Sequence, residues 1–369
     1  MKLGLITLLL TCSLALSGCS WMDGSYVSVT PHQEQAAAGR TENLTVSNYE
    51  ELVAAMEEIV AKGTESCVVN AVNYDPDQLK SHLSSASLHV QKVYPLGAYA
   101  VETVKYEVGS SMGKTAVALD ITYRHSRMEL RQIRTVRNLE DARSSIGRAL
   151  EAYNTVLVMK YEDYEEVDFD QIVRDYAREY PQRVMEIPQI TSEVYGMGES
   201  RVVELAFVYQ TSRDALKNMQ SQVQPVFDSA VLYVSGEGTE SQKFSQLYAF
   251  LMERFDYTVE TSITPAYSLL RHGVGDSRAF ATVYAAMCRA AGLECVTVTG
   301  TRSGEPWTWN LICQDDVYYH VDLLRSNEQG KFQRFADSEM AGYVWDYSAY
   351  PGTTAEATEP SDAEVSEEK

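Results

Sequence analysis

Residues 271–280 read RHGVGDSRAF. Two glycines mark a loop that runs straight into a helix, the setting in which a nucleophile stands at a helix N-terminus, and the nucleophile offered is Ser277. Upstream, TESQKFSQLYAFLMERFDY carries Phe244, Leu247, Tyr248, Leu251 and Phe255 at helical spacing. Downstream, Arg278 to Ala291 reads as a second helix with Phe280, Val283, Tyr284 and Met287 on one face, closed by Gly292 as its C-cap. LECVTVTG and WTWNLICQDDVYYHVDLL then read as strands, the latter two joined by a tight turn at Asp315 and Asp316.

Helix, glycine loop, nucleophile, helix, AGLEC strand, W-x-W-N strand and YYHVD strand, in that order, resemble the transglutaminase-like cysteine peptidase superfamily over about residues 239–347. The motifs that carry the resemblance are Tyr248 and Tyr257, AYSLLRHGVGDSRAFA, CRAAGLECVTVTG, WTWN and YYHVDLL. The resemblance implies a papain-like α+β domain. It also implies a catalytic set of a cysteine at the helix start, a histidine on the W-x-W-N strand and an aspartate in the YYHVD strand. Those positions hold Ser277, Trp307 and Asp322.

Only the aspartate matches. A helix N-terminus and an imidazolium stabilise a thiolate near neutral pH, whereas an alcohol gains too little from them to ionise and needs a base in the transition state. Indole nitrogen is a donor only, so Trp307 cannot be that base. Two histidines are alternatives. His320 lies two residues before Asp322, on the same face of a strand, and His272 shares the loop with Ser277. Family members that keep the usual histidine also carry one at the His320 position, and a loop imidazole such as His272 is by default exposed. Loss of nucleophile or base alone lowers turnover of a serine-protease triad by roughly a millionfold. The expectation is a domain without family-type catalysis, in which a cleft beside Ser277, walled by Trp307 and Trp309, holds a peptide or cell-wall fragment. A serine hydrolase using His320 or His272 is the alternative, and a purely structural domain is a third reading.

The middle of the chain repeats itself. TVSNYEELVAAMEEIVAKG from Thr45 and TVRNLEDARSSIGRALEAY from Thr135 share T-V-x-N at an offset of 90, each Asn placed as a helix N-cap. SCVVNAVNY and TVLVMKY follow as β-rich runs, then helices opened by Asp75 and Asp168. VALDITYRHSRMEL and VELAFVYQTSRDAL close the unit at an offset of 86, pairing Tyr123 with Tyr209, Ser126 with Ser212 and Arg127 with Arg213. The fold class expected is therefore α+β, with duplicated α-β-α-β-β modules ahead of the transglutaminase-like domain. Such modules read as scaffold or binding surface, and the paired Ser-Arg as a turn at a strand end in preference to an anion site.

At the N-terminus, Lys2 precedes an uncharged apolar run from Leu3 to Leu16 that ends in LSGC. That is a signal-peptide pattern, and its junction resembles the lipobox of bacterial lipoproteins, with Cys19 the lipidated first residue of the mature chain. The expected location is extracytoplasmic, on a bacterial membrane. The formal net charge of −21, with no Lys/Arg cluster, excludes nucleic acid. From Thr353 to Lys369 six acids stand against one lysine with no aromatic residue, a composition that builds no core. Cys12 lies in the signal; Cys67, Cys288, Cys295 and Cys313 have no metal-ligand spacing and read as buried small hydrophobes, a disulfide among the last three remaining open. No cofactor or metal is expected. The organisation is thus signal peptide 1–18, linker 19–43, modules 44–134 and 135–222, transglutaminase-like domain 223–347 and acidic tail 348–369.

Overall fold

The computed structural model describes residues 44–353 apart from 112, 113, 235 and 237. Cys19, the signal peptide, the linker and the acidic segment after Thr353 lie outside the described residues.

The first module runs β1 (Leu44–Val46), α1 (Tyr49–Ala61), β2 (Ser66–Ala71), α2 (Pro76–Lys92), α3 (Pro95–Ala100), β3 (Val101–Ser111), β4 (Lys114–Tyr123) and α4 (Arg127–Gln132). The second runs β5 (Arg134–Val136), α5 (Leu139–Glu151), β6 (Val156–Tyr161), α6 (Phe169–Glu179), β7 (Gln189–Tyr195), β8 (Arg201–Val208) and α7 (Arg213–Tyr233). Their sheets are alike: orders β1-β2-β4-β3 and β5-β6-β8-β7, with the first pair parallel and the others antiparallel. The registers carry the same offsets as the sequence motifs. Leu44 pairs with Val69 and Arg134 with Met159, both 90 positions apart between modules. Leu119 opposes Cys67 and Leu205 opposes Leu157, with Leu205 lying 86 positions after Leu119.

Local chemistry explains the helix starts. Asn48 and Asn138 accept hydrogen bonds from Glu51 N and Asp141 N, and Asp75 and Asp168 from Gln78 N and Gln171 N. Each side chain satisfies a donor that the first helical turn leaves unpaired. Ser126 and Ser212 do the same for Glu129 N and Ala215 N, so the repeated Ser-Arg opens a helix and is not merely a turn.

The observed order of each module is β-α-β-α-β-β-α, with a short helix, α3, added in the first, where the sequence pattern yields α-β-α-β-β. Each leading strand is three residues long and parallel to its neighbour, so neither length nor alternation marks it; it exists only through its pairing. Helix α7 also passes through both the boundary expected at 222 and Pro225. Proline removes one helical hydrogen bond, but Leu216, Val223, Phe227 and Ala230 keep one apolar face buried in the core of the C-terminal domain, which outweighs that loss.

The C-terminal domain comprises α8 (Glu240–Met252), β9 (Asp256–Tyr257), α9 (Pro265–His272), β10 (Val274–Gly275), α10 (Ser277–Ala290), β11 (Cys295–Arg302), β12 (Glu305–Gln314), β13 (Val317–Val321), α11 (Leu323–Glu328) and β14 (Tyr343–Trp345). Its antiparallel sheet has the order β13-β12-β11-β14. Asp315 and Asp316 both adopt positive φ, 53° and 62°, giving the tight hairpin expected between β12 and β13. Alternation divides the sheet's side chains. Ile312, Tyr319 and Val321 join Phe244, Tyr284 and Met287 in one core, and Val298, Trp309 and Leu311 join Phe335, Met340 and Trp345 in another. The chain stays bound to the domain past 347: Asp337 N donates to Thr353 Oγ1 at 2.6 Å. No helix among the described residues is long and apolar enough to cross a membrane.

Candidate functional site

Parallel pairing of β9 with β10 sets Gly275 beside Tyr257, and Gly273, with φ of 82°, turns the chain out of α9. Asp276 then caps α10 by accepting from Ala279 N at 2.8 Å. Ser277 is the first residue of that helix, 8% exposed, and its Oγ accepts from Thr308 N at 3.3 Å. Asn310, the last residue of W-T-W-N, donates to Ala281 O at 2.8 Å and so ties β12 to α10. The helix start is thereby fixed against the strand that carries Trp307.

Trp307 is half-buried on β12 opposite Gly300. Its indole Nε1 donates to Asp322 Oδ2 at 2.8 Å. Asp322, 2% exposed, has both oxygens engaged. Oδ1 accepts from Leu324 N and Arg325 N at 3.0 and 3.2 Å, capping α11, and Oδ2 also accepts from Tyr343 OH at 2.6 Å. Arg302 lies 3.8 Å from the same oxygen and 5.2 Å over the Trp307 ring, and it makes a two-pronged pair with Glu328. Burial, followed by the charge of Asp322, pushes the Tyr343 hydroxyl far above its usual pKa and keeps it a donor. Burial opposes the charge of Arg302, but Glu328, Tyr343 and Asp322 together raise its pKa. The exposed Tyr257 ring stands 5.7 Å from that of Trp307.

Ser277 is thus hydrogen-bonded to Thr308 N, the residue after Trp307, while Trp307 is hydrogen-bonded to Asp322. The two alternative bases lie elsewhere in their bonding. His320 is 1% exposed; its Nδ1 accepts from Trp309 Nε1 at 2.9 Å, which leaves Nε2 to donate to Asp337 Oδ1 at 2.9 Å. Burial lowers its pKa, against the raising effect of Asp337. Asp322 lies one residue past the end of β13, as the cap of α11, and both ring nitrogens of His320 are committed. His272 is exposed at the end of α9, edge-on to Tyr267 at 4.9 Å. Among the described residues no imidazole hydrogen-bonds the Ser277 hydroxyl.

Trp309 corrects one expectation. It is 1% exposed, packed edge-on to Tyr343 and Trp345, and so lines no cleft. Trp307 and Trp309 do share a face, but residues 335–345 cover that face over Trp309 and leave Trp307 at its margin. Sequence reasoning did not single out Tyr343 or Arg302. Both reach Asp322 across strand pairings, Tyr343 opposite Arg302, that no local pattern announces. A cavity of about 730 Å³ lies between α6, residues 181–190, the 261–266 segment and Arg278 and Thr282 of α10, and Ser277 does not line it. Among the described residues no group of His, Cys, Asp and Glu is placed to hold a metal.

Residues 229–346 match the family model of the transglutaminase-like superfamily, and this part of the chain has a transglutaminase-like fold. Of solved structures, a crystal structure of a TGase aligns at 12% identity and a TM-score of 0.28, over 56% of this chain and 62% of its own. A candidate cysteine protease from Cytophaga hutchinsonii aligns at 13% identity and a TM-score of 0.26, over 42% and 70%. A candidate protease from Parabacteroides distasonis ATCC 8503 aligns at 10% and 0.23, over 69% and 40%. The chain therefore spans less than two thirds of the first and third. No curated protein matches it.

Proposed function

We propose that the chain is a lipid-anchored extracytoplasmic protein whose transglutaminase-like domain binds or scaffolds a peptide or cell-envelope ligand without cleaving it. The observation that carries this reading is the Trp307–Asp322 hydrogen bond. An indole stands at the position where the family resemblance places the base. It makes the bond to the aspartate that an imidazole would make, and it has no lone pair to take a proton from Ser277. The exposed Tyr257 ring, the half-exposed Trp307 and the Arg302 guanidinium beside them form a surface suited to an aromatic-stacking, polar ligand. The two modules with shared strand order and register act, on this reading, as a duplicated scaffold ahead of the domain.

The deciding experiment exposes the protein to a fluorophosphonate probe and, separately, to amide substrates with and without a primary amine. The expected result is neither labelling at Ser277 nor turnover. Turnover that Ser277→Ala abolishes would instead establish a serine acyltransferase or hydrolase. The anchor is tested by Cys19→Ala, which releases the chain from membranes or leaves an unprocessed precursor; normal processing with full membrane retention contradicts it.

A further inference from the structure

Four cysteines lie among the described residues, and the fold brings two of them together. Cys288 sits in the last turn of α10. Gly292, with φ of 77°, reverses the chain, and Leu293 N donates back to Cys288 O at 2.9 Å. Two residues later Cys295 opens β11 on the sheet face that α10 covers, paired with Ile312. Both side chains are buried in the same apolar core, 0% and 4% exposed, together with Tyr284 one helical turn before Cys288. The other two cysteines lie elsewhere in the fold. Cys67 belongs to β2 in the first module, and Cys313, next to Ile312 on β12, faces the opposite side of the sheet, toward Tyr318 and Glu294.

We propose that Cys288 and Cys295 form a disulfide under oxidising conditions, stapling the end of α10 to the start of β11. The oxidant is another disulfide, either oxidised glutathione or that of an oxidoreductase. One cysteine thiolate attacks a sulfur of it and expels a thiolate; the second cysteine then displaces the other half from the mixed disulfide. The pair loses two electrons and two protons, and the oxidant gains them as two thiols. Burial pushes the Cys288 thiol far up and shuts out solvent, so exchange belongs to the stage before α10 settles on the sheet. The same burial then protects the finished bond from reductants. Its occurrence in the cell rests on the extracytoplasmic reading above, since that compartment supplies the oxidant.

The test refolds the reduced, unfolded full chain in a mixture of reduced and oxidised glutathione. Acid quenching, alkylation and peptide mapping then locate each cysteine. The expected product carries a peptide cross-linked through 288 and 295, with Cys67 and Cys313 alkylated. Dithiothreitol opens that link only after denaturant is added. Alkylation of both Cys288 and Cys295 in product with native near-ultraviolet circular dichroism overturns the proposal, as does a link from either one to Cys67 or Cys313. A bond that forms in vitro yet is missing from chain drawn, with its thiols trapped, from bacterial membranes sustains the pairing and overturns the compartment reading instead.

Discussion

Replacing Asp322 by Asn tests whether this aspartate is the hub that its contacts describe. The substitution keeps size and shape but turns one acceptor into a donor. If the amide oxygen stays where Oδ1 caps Leu324 N and Arg325 N, the new NH₂ faces the Trp307 indole N–H and the Tyr343 hydroxyl, bonded to Oδ2 at 2.8 and 2.6 Å. Each is a hydrogen bond to a charged acceptor, worth about 1.5–3 kcal/mol. Tyr343 can rotate its hydroxyl and accept from the amide, recovering about 1 kcal/mol; the indole has no such recourse. Arg302, at 3.8 Å and paired with Glu328, adds at most about 1 kcal/mol. The net loss is about 3 kcal/mol, a drop of roughly 6–12 °C for a cooperative unit of about 150–250 residues. Thermal unfolding followed by tryptophan fluorescence reads it, and Tyr343→Phe in the same cycle should be non-additive with it by about 1 kcal/mol. A loss below about 1 kcal/mol, with near-ultraviolet dichroism unchanged, would refute the network as described.

Three further outcomes follow from the same geometry. His320 has its folded pKa depressed by burial, so the unfolded chain binds the extra proton; its contribution to stability is present above the unfolded value near 6.5 and is lost as pH falls through it, and His320→Asn should flatten that part of a urea-midpoint profile. A Cβ at Gly300 would lie 2.1 Å from Val344 O, so Gly300→Ala should displace β14 and with it Tyr343, at about 1–3 kcal/mol by denaturant titration; an unchanged midpoint would mean the strand gives way freely. Ser277→Cys should yield a thiol more reactive than a free one, and adding Trp307→His should lower its pKa further, measured as the pH dependence of alkylation at 277 by peptide mapping; identical profiles for the single and double variants would show that position 307 does not address 277.

Much of this was legible in the sequence because the deciding chemistry is local. Asn48, Asn138, Asp75 and Asp168 were readable as caps, Gly292 as a left-handed helix end, and Asp315-Asp316 as a hairpin turn, since each acts within a few residues. The offsets of 90 and 86 carried over into strand register because pairing follows the same hydrophobic alternation that made the motifs visible. Apart from the helices that Ser126 and Ser212 cap locally, the misses depend on partners distant in sequence. The strands β1 and β5 exist only beside β2 and β6, α7 continues through Pro225 because a separate domain buries its face, and Trp309 is covered by residues more than twenty positions away.

At the candidate site the two sides of residue 307 behave differently, and on the proposed reading this lets a site without a base keep its fold. A neutral imidazole presents one donor and one acceptor; an indole presents the donor alone. Trp307 spends that donor on Asp322, so the buried carboxylate keeps its four hydrogen bonds and still caps α11. Both Asp322 oxygens are paired, so the indole at 307 adds no penalty for an unsatisfied acceptor there. On the other side, Ser277 receives a backbone N–H from Thr308, and among the described residues no hydrogen bond places an acceptor on its proton. The aspartate therefore has structural work independent of proton transfer. A substitution that removes the indole donor, Trp307→Phe, should accordingly register in unfolding experiments, whereas the proposed reading expects it to leave hydrolytic activity at background before and after.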